Sequence, residues 1–134
     1  MKFLNCTNHS ATFKQKAMGI IDPSEDDAAL LHDAITYNEV PDSEKIKKTC
    51  TIIIDLVTKY QCDGAMIGGA LFLIREEEET LFSHDYCAAY AFTKRVVKEE
   101  MLLDGSVRKT SIFDSNETIV KHPDGTIQII SFSE

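Results

Sequence analysis

A short polar loop near the start of the chain carries side chains that could do chemistry. The apolar run that begins at Lys2 ends at Thr7, and it is followed by Asn8, His9 and Ser10. Their hydroxyl, amide and imidazole groups could position a phosphate-bearing ligand, and the His9 imidazole could transfer a proton near neutral pH. The same residue types cap helices, so this loop could instead only start the helix that follows it. His9 could equally be a cap or an exposed loop residue, because no partner for acid–base catalysis is identified.

Two further segments could contribute to the same site. Gly68 and Gly69 follow a short apolar run and offer bare backbone at a predicted helix start, where anions bind. Lys94 and Arg95, preceded by Thr93, offer positive charge and a hydroxyl. The glycines match no complete phosphate-loop pattern and could serve only close packing of a strand against a helix. The two cations could be an ordinary solvated strand end.

Metal-binding patterns in the sequence are incomplete. Cys6 with His9, and His84 with Cys87, are pairs three residues apart that could together supply four zinc ligands. The two pairs lie on different predicted elements and lack the spacing of a zinc knuckle, so we predict no metal site and no cofactor. The run Glu76–Glu79 could bind a divalent cation, but a charge run on a helix is typical of a solvated face.

Apolar periodicity predicts the elements that hold these segments. A stripe of Ile46, Cys50, Ile53 and Val57 at helical spacing marks the clearest helix. The predicted strands before the turn at Asp104-Gly105 are 2–7, 65–67 and 86–103, and the predicted helices are 11–18, 24–37, 43–60 and 70–83. Within the last helix, we expect the inward face to carry Leu71, Ile74, Leu81 and Phe82. After the turn, strand 106–113 closes one hairpin, and strands 118–122 and 126–132 form a second.

This order of elements predicts an α/β fold in a single domain covering residues 1–134. Residues 1–100 would form a small Rossmann-like sheet with flanking helices, and residues 101–134 a C-terminal antiparallel β-hairpin extension. Ligands of open α/β sheets bind where the parallel strands end. The segments Thr7–Ser10, Gly68–Gly69 and Thr93–Arg95 would meet there, in a pocket for a small anion or a nucleotide phosphate.

Composition limits the classes of partner. The chain has 134 residues, 22 acidic against 14 basic, and a formal net charge of −8. Without clustered Lys and Arg it is unsuited to binding duplex nucleic acid, whose affinity comes largely from phosphate neutralisation. No apolar run is long enough to cross a membrane, and the first residues turn polar too early for a secretory signal. We therefore expect a cytoplasmic protein whose four cysteines are free thiols.

Four segments carry a resemblance to a known family. They begin at Leu4, Ala65, Tyr90 and Asp104 and read LNCTNHSAT-x-x-Q, AMIGGALF, YAFTKRVVKE and DGSVRKTSIF. In these segments the chain resembles the small CRISPR-associated Rossmann-like proteins, relatives of CARF-type sensors and ring nucleases. The resemblance covers most of the chain up to Phe113. It implies a homodimer in prokaryotic antiviral defence whose ligand is a cyclic oligoadenylate, a short ring of adenosine phosphates.

The resemblance also implies roles for the site residues. Ring nucleases of this kind cleave without a metal, by attack of a ribose 2′-hydroxyl on the neighbouring phosphate. Lys94 or Arg95 would stabilise the charge that develops on phosphorus, and His9 would transfer a proton. The residues that would position the ring are Thr7, Asn8, His9 and Ser10, with Gly68, Gly69 and Thr93 completing the ligand-binding set.

A second interpretation assigns no catalysis to the chain. Exposed edge strands pair readily with other chains. On this interpretation the C-terminal hairpins pair with a second copy or another partner, and the protein is a dimeric interaction module. A nucleotide that co-purifies with the protein would favour the first interpretation over this one.

Overall fold

A six-stranded sheet forms the centre of the computed structural model, which describes residues 1–133. The strands are β1 (Phe3–Asn5), β2 (Ile20–Ile21), β3 (Gly64–Met66), β4 (Cys87–Met101), β5 (Val107–Lys121) and β6 (Ile127–Ser131). The helices are α1 (Phe13–Ala17), α2 (Glu25–Ile35), α3 (Ser43–Lys59) and α4 (Leu71–Ser83). The protein is therefore mixed α/β, as the sequence predicts.

The sheet combines parallel and antiparallel strands in the order β2-β1-β3-β4-β5-β6. Strands β2, β1, β3 and β4 run parallel, and β5 and β6 continue the sheet antiparallel. Each parallel strand pairs with its neighbour over only two or three residues, so the parallel part of the sheet is short along the strand direction. The carboxyl ends of β1, β2 and β3 consequently lie along one short edge.

Two apolar clusters cover the two faces of the sheet. Because side chains alternate along a strand, Leu4 packs with one cluster and its neighbour Phe3 with the other. The larger cluster joins Leu4, Ala65 and Ala88 of the sheet to residues of α2, α3 and α4, among them Leu31, Ile53, Val57 and Leu81. On the opposite face, the buried Thr118 hydroxyl donates to the Met18 sulfur, which fixes the end of α1 against β5.

Side-chain caps start three of the helices where the sequence contains Ser, Thr or Asp. The Ser24 hydroxyl accepts from the backbone N–H of Asp27 at the start of α2, and the Asp42 carboxylate caps α3 in the same way. The predicted apolar stripe of α3 is confirmed at Cys50, Ile53 and Val57, which are buried. These local signals place α2 and α3 close to their predicted positions.

Helix α4 buries Leu81 as predicted, but the rest of its buried face differs from the prediction. Leu71, expected to face inward, is 84% exposed. The buried side chains are Leu73, Glu77 and Leu81, which are four residues apart and therefore form one helical stripe. The prediction that all of Glu76–Glu79 is solvated is wrong for Glu77, because this residue lies between two leucines on the core face.

The C-terminal half also differs from the prediction. Residues 118–122, expected as a separate hairpin strand, are instead largely the end of the 15-residue strand β5. Strand β6 pairs with Glu117–Lys121, and that part of β5 in turn pairs with β4 beside the parallel strands. The sequence does not predict strand β2. This strand consists of Ile20 and Ile21 alone, and two residues are too few to show the alternation of side chains that identifies a strand.

The long strands β4 and β5 extend beyond the rest of the sheet. β3 pairs with β4 only as far as Ala89, and β6 pairs with β5 only at Glu117–Lys121. Between these limits β4 and β5 pair with each other, with an irregularity between Phe92 and Lys94. We call residues 93–115 the arm. None of the helices in residues 1–133 combines the length and apolar character that crossing a membrane requires.

Candidate functional site

Asn5 organises the loop at the end of β1. Its side chain is only 3% exposed, and its amide nitrogen donates to the His9 carbonyl at 2.6 Å and to the Asp22 carboxylate at 2.9 Å. Its amide oxygen accepts from the backbone N–H of Thr7 at 3.0 Å and from the Thr7 hydroxyl at 2.6 Å. One buried amide thus uses both donors and its acceptor to fold residues 7–9 back over the strand end.

Two further contacts hold this loop. The Asp22 carboxylate, which follows β2, accepts from the backbone N–H of Ala11 at 3.0 Å. On the other side, the side-chain oxygen of Asn8 lies 2.9 Å from the Nδ1 atom of His32 in α2. The loop is therefore tied both to the neighbouring strand and to the helix beyond it.

A polar cleft of about 420 Å³ lies between this loop and α2. Its chemistry is mixed, since hydroxyls, amides and two imidazoles share the walls with the carboxylates of Asp22 and Glu25. The lining residues are Asn5, Thr7, Asn8, His9, Ser10, Asp22, Pro23, Glu25, Ala28, Ala29, Leu31 and His32. Such a cleft offers donors and acceptors for a sugar or a base and has one predicted acid–base residue, His9.

The glycines after β3 approach the same loop. A Cβ atom added to Gly68 would lie 3.9 Å from the Thr7 Cγ2 atom, so these two segments are neighbours at the carboxyl edge. Gly69 adopts φ +96°, a conformation that other residues rarely take. Ala70 is the N-cap of α4 and has no side chain that could accept from the first turn. The first turn of α4 therefore has no side-chain cap, and within it the Leu73 N–H donates to the Ala70 carbonyl.

The predicted cations lie elsewhere in the single chain. Arg95 donates to the Ser111 hydroxyl at 2.8 Å, and Lys94 is opposite Asp114 in the ladder between β4 and β5. The Thr93 hydroxyl is 3.2 Å from that of Ser115. All three belong to the arm, and none lines the cleft beside Thr7–Ser10. The structure thus makes Gly68 of the second predicted segment a neighbour of Thr7 in the first, but only the first segment lines the cleft.

Three residues of this site are not identified by the sequence pattern. The pattern places Asn5 only in a strand, although a buried polar residue at a strand end indicates a structural hydrogen-bond role. It places Asp22 only in a turn before a helix. His32 has no sequence signal, because its distance from Asn8 follows from how α2 packs.

The two candidate Cys/His pairs, Cys6 with His9 and His84 with Cys87, do not form one site. Cys6 is buried, and the Cys87 sulfur contacts the Nδ1 atom of His122 at 3.3 Å. His84 instead lies with its Nδ1 atom 2.9 Å from the Thr80 carbonyl oxygen. Within residues 1–133, no group of three or more His, Cys, Asp or Glu residues is arranged to hold a metal ion.

A second polar cluster lies under α4. Burial raises the pKa of Glu77 to about 7, and the neighbouring charge of Glu76 adds to this effect. The Tyr90 hydroxyl donates to the Glu78 carboxylate, which also accepts from the Lys121 ammonium at 3.1 Å. Burial and this hydrogen bond raise the pKa of Tyr90 well above its usual range, so it remains a neutral donor.

The fold and the cleft define a mixed α/β protein with a polar site where its parallel strands end. The chain belongs to the Uncharacterized protein MJ1673 family, whose family model matches residues 1–116. This match includes the cleft and the whole arm, and it stops one residue before the part of β5 that pairs with β6. No curated protein and no solved structure matches the chain.

Proposed function

We propose that this protein binds a small phosphate-bearing nucleotide at the carboxyl edge of its parallel strands. The observation that carries the proposal is the uncapped start of α4, which follows shortly after Gly68, a neighbour of the Thr7 side chain at the end of β1. Free N–H groups and the positive end of a 13-residue helix favour an anion at this point. The adjoining cleft supplies hydroxyls, amides and imidazoles for the rest of the ligand.

The acidic groups of the cleft are compatible with such a ligand. Asp22 is already engaged, since it accepts hydrogen bonds from Asn5 and Ala11 and lies 3.8 Å from the Lys16 ammonium. Its charge is therefore partly neutralised. The net charge of −8 disfavours a long polyanion, whereas a ligand with a few phosphates needs only local donors.

The resemblance to CRISPR-associated Rossmann-like proteins makes a cyclic oligoadenylate the ligand that we propose. The parallel order β2-β1-β3-β4, with α1 on one face and the other helices on the other, supports a Rossmann-like assignment. In this proposal the protein acts in antiviral defence in the cytoplasm of a prokaryote.

We extend the proposal to cleavage of the ring, by a reaction that needs no metal ion. The ribose 2′-oxygen would lose its proton and attack the neighbouring phosphorus, while the bond from phosphorus to the 5′-oxygen breaks and that oxygen takes up a proton. His9 is the residue of the cleft that we assign to this proton transfer. A cation for the developing charge would come from Lys94 or Arg95, which requires the arm of this or another copy to approach the ligand.

A thermal-shift screen against cyclic oligoadenylates in EDTA, with mass spectrometry on the same samples, tests the proposal. At about 100 times its Kd, a ligand should add about 2.7 kcal/mol to the free energy of unfolding. We expect a rise of several degrees in Tm. A linear product that disappears in His9→Ala would identify a nuclease, and a shift without product would identify a binding protein. No shift with any member of the panel would overturn the proposal.

Two substitutions at Ala70 test where the phosphate binds. Ala70→Ser and Ala70→Asp both supply a side-chain cap, so each should stabilise the free protein by about 1 kcal/mol. The aspartate also places a negative charge on the proposed phosphate position. We expect the ligand-induced shift to be lost in Ala70→Asp and to persist, reduced, in Ala70→Ser. An undiminished shift in Ala70→Asp would rule out the start of α4 as the phosphate site.

A further inference from the structure

The outer edge of β4 is open along the arm. β3 stops pairing with β4 at Ala89, and β4 continues for twelve residues to Met101 with β5 on its other side only. A two-stranded ribbon is marginally stable in water by itself, and an open edge presents a row of unpaired N–H and C=O groups. The arm therefore has a free hydrogen-bonding edge that matches another strand.

Hydrogen bonds at both ends of β4 show which residues face this edge. The Cys87 N–H donates to Asp63 and the Ala89 carbonyl accepts from Ile67, so odd-numbered residues of β4 face the β3 side. At the arm's tip the Leu102 N–H donates to Ser106, so even-numbered residues face β5. Since these directions alternate along a strand, the backbone groups of Arg95, Val97 and Glu99 point to the open edge.

The charges along this edge are complementary to those of the same edge in a second copy. In an antiparallel pairing of two β4 strands about Val97, Arg95 of each copy lies opposite Glu99 of the other. Lys94 likewise lies opposite Glu100, so that every charge pair nearest the axis has opposite signs. A register one residue lower, centred on Val96, would instead place Lys94 opposite Lys98.

The same register satisfies the backbone and covers apolar surface. Val97 faces its own copy across the axis, and each Val97 N–H can donate to the other Val97 carbonyl. Val97 is 53% exposed in the single chain, and Leu103 at the tip is fully exposed. Pairing about Val97 places Leu102 of one copy opposite Phe92 at the base of the other arm, and Phe92 is itself 49% exposed.

We propose that two copies of this chain pair through the open edges of β4, antiparallel about a twofold axis at Val97. The result is a four-stranded arm in the order β5-β4-β4-β5, in which a tip of each arm reaches the body of the other copy. The pairing follows from the arm alone and does not depend on the proposed nucleotide.

Charge reversal in the full chain tests both the dimer and its register. Arg95→Glu places two glutamates opposite each other, and Glu99→Arg places two arginines opposite each other. Sedimentation should show a wild-type dimer and two monomeric variants. An equimolar mixture of the two variants should dimerise again, because both pairs between positions 95 and 99 then join a carboxylate to a guanidinium. The double variant should also dimerise with itself.

Arg75→Glu is the matched control. Arg75 is an exposed residue of α4 outside the arm, and its reversal changes the net charge by the same amount as Arg95→Glu. This variant should remain a dimer. A wild-type monomer at about 0.1 mM, a concentration at which even a weak specific dimer is populated, would overturn the proposal. Dimeric single variants, or a mixture that stays monomeric while its components are folded, would overturn the register.

Discussion

The Lys14 ammonium donates to the Asp114 carboxylate at 2.8 Å, across a separation of 100 residues in the sequence. The same ammonium donates to the Asn116 side-chain oxygen at 2.6 Å. Lys14 belongs to α1, and the other two residues lie in β5 where the arm leaves the sheet. The contact therefore fixes the base of the arm to the body of the protein, and it holds the pKa of Asp114 below its usual range.

Removal of this contact should loosen the arm and leave the body intact. In Lys14→Met we expect faster amide hydrogen exchange in residues 107–116, with little change in residues 64–66. Because the pKa of Asp114 is lowered in the folded state, the contact is present above the ordinary aspartate pKa and is lost as the pH falls through the lowered value. The control Lys16→Met removes an exposed cation that is 3.8 Å from Asp22. Equal exchange of the arm in both variants would contradict this role for Lys14.

Asn5→Ala should destabilise the protein and release the loop of residues 7–9. The variant removes the side-chain acceptor of the Thr7 N–H and one of the two donors to the His9 carbonyl, and buried polar groups that lose their partners cost about 1–3 kcal/mol. Urea denaturation would measure the change in free energy of unfolding. Asn8→Ala is the control, since Asn8 is exposed and only its contact with His32 is lost. A similar stability of both variants would mean that Asn5 does not organise the loop.

Glu77 should make stability depend on pH near neutrality. Its folded-state pKa of about 7 is above the ordinary glutamate value, so the folded state binds the proton more tightly. The free energy of unfolding should therefore fall as the pH rises from the ordinary glutamate pKa to about 7, and stay low above it. Glu77→Gln should remove this fall. The free energy of unfolding of the variant, relative to that of the wild type, should therefore be higher at pH 8 than at pH 5 by at most about 3 kcal/mol. Thermal melts across this range would measure it, and Glu79→Gln, on the exposed face, should keep the wild-type profile.

Gly64 should tolerate no side chain. A Cβ atom at this position would lie 2.0 Å from the Cys87 carbonyl oxygen in the neighbouring strand, so the backbone of β3 or β4 would have to move. We expect Gly64→Ala to destabilise the protein by about 3 kcal/mol or more. Gly68→Ala is the matched control, because its Cβ would meet its nearest neighbour at an ordinary 3.9 Å. Chemical denaturation of both variants distinguishes this clash from a general effect of replacing glycine.

Local signals in the sequence were sufficient for the helices that carry their own caps and stripes. Ser24 starts α2, and the spacing of Cys50, Ile53 and Val57 identifies the buried face of α3. Both signals act within a few residues of the chain, so they need no knowledge of the rest of the fold. The mixed α/β class follows from the order of such elements.

The sequence also determined which segments follow the strands, and hence that Thr7 and Gly68 lie near each other. Only the tertiary structure decided that Lys94 and Arg95 lie away from them. The reason is the length of β4, which continues past β3 because β5 pairs with it from Ala88 to Met101, a long-range pairing that no local pattern specifies.

The burial of Glu77 and the role of Asn5 were likewise decided by packing. The rotation of α4 against the sheet selects Leu73, Glu77 and Leu81 for the core, and a charged residue gives no local sign that it will be buried. Asn5 depends on Asp22, 17 residues later, which comes within hydrogen-bond distance because β2 pairs beside β1. Short-range spacing determined most of the helices and strands of this protein, whereas the contacts between distant elements determined its site.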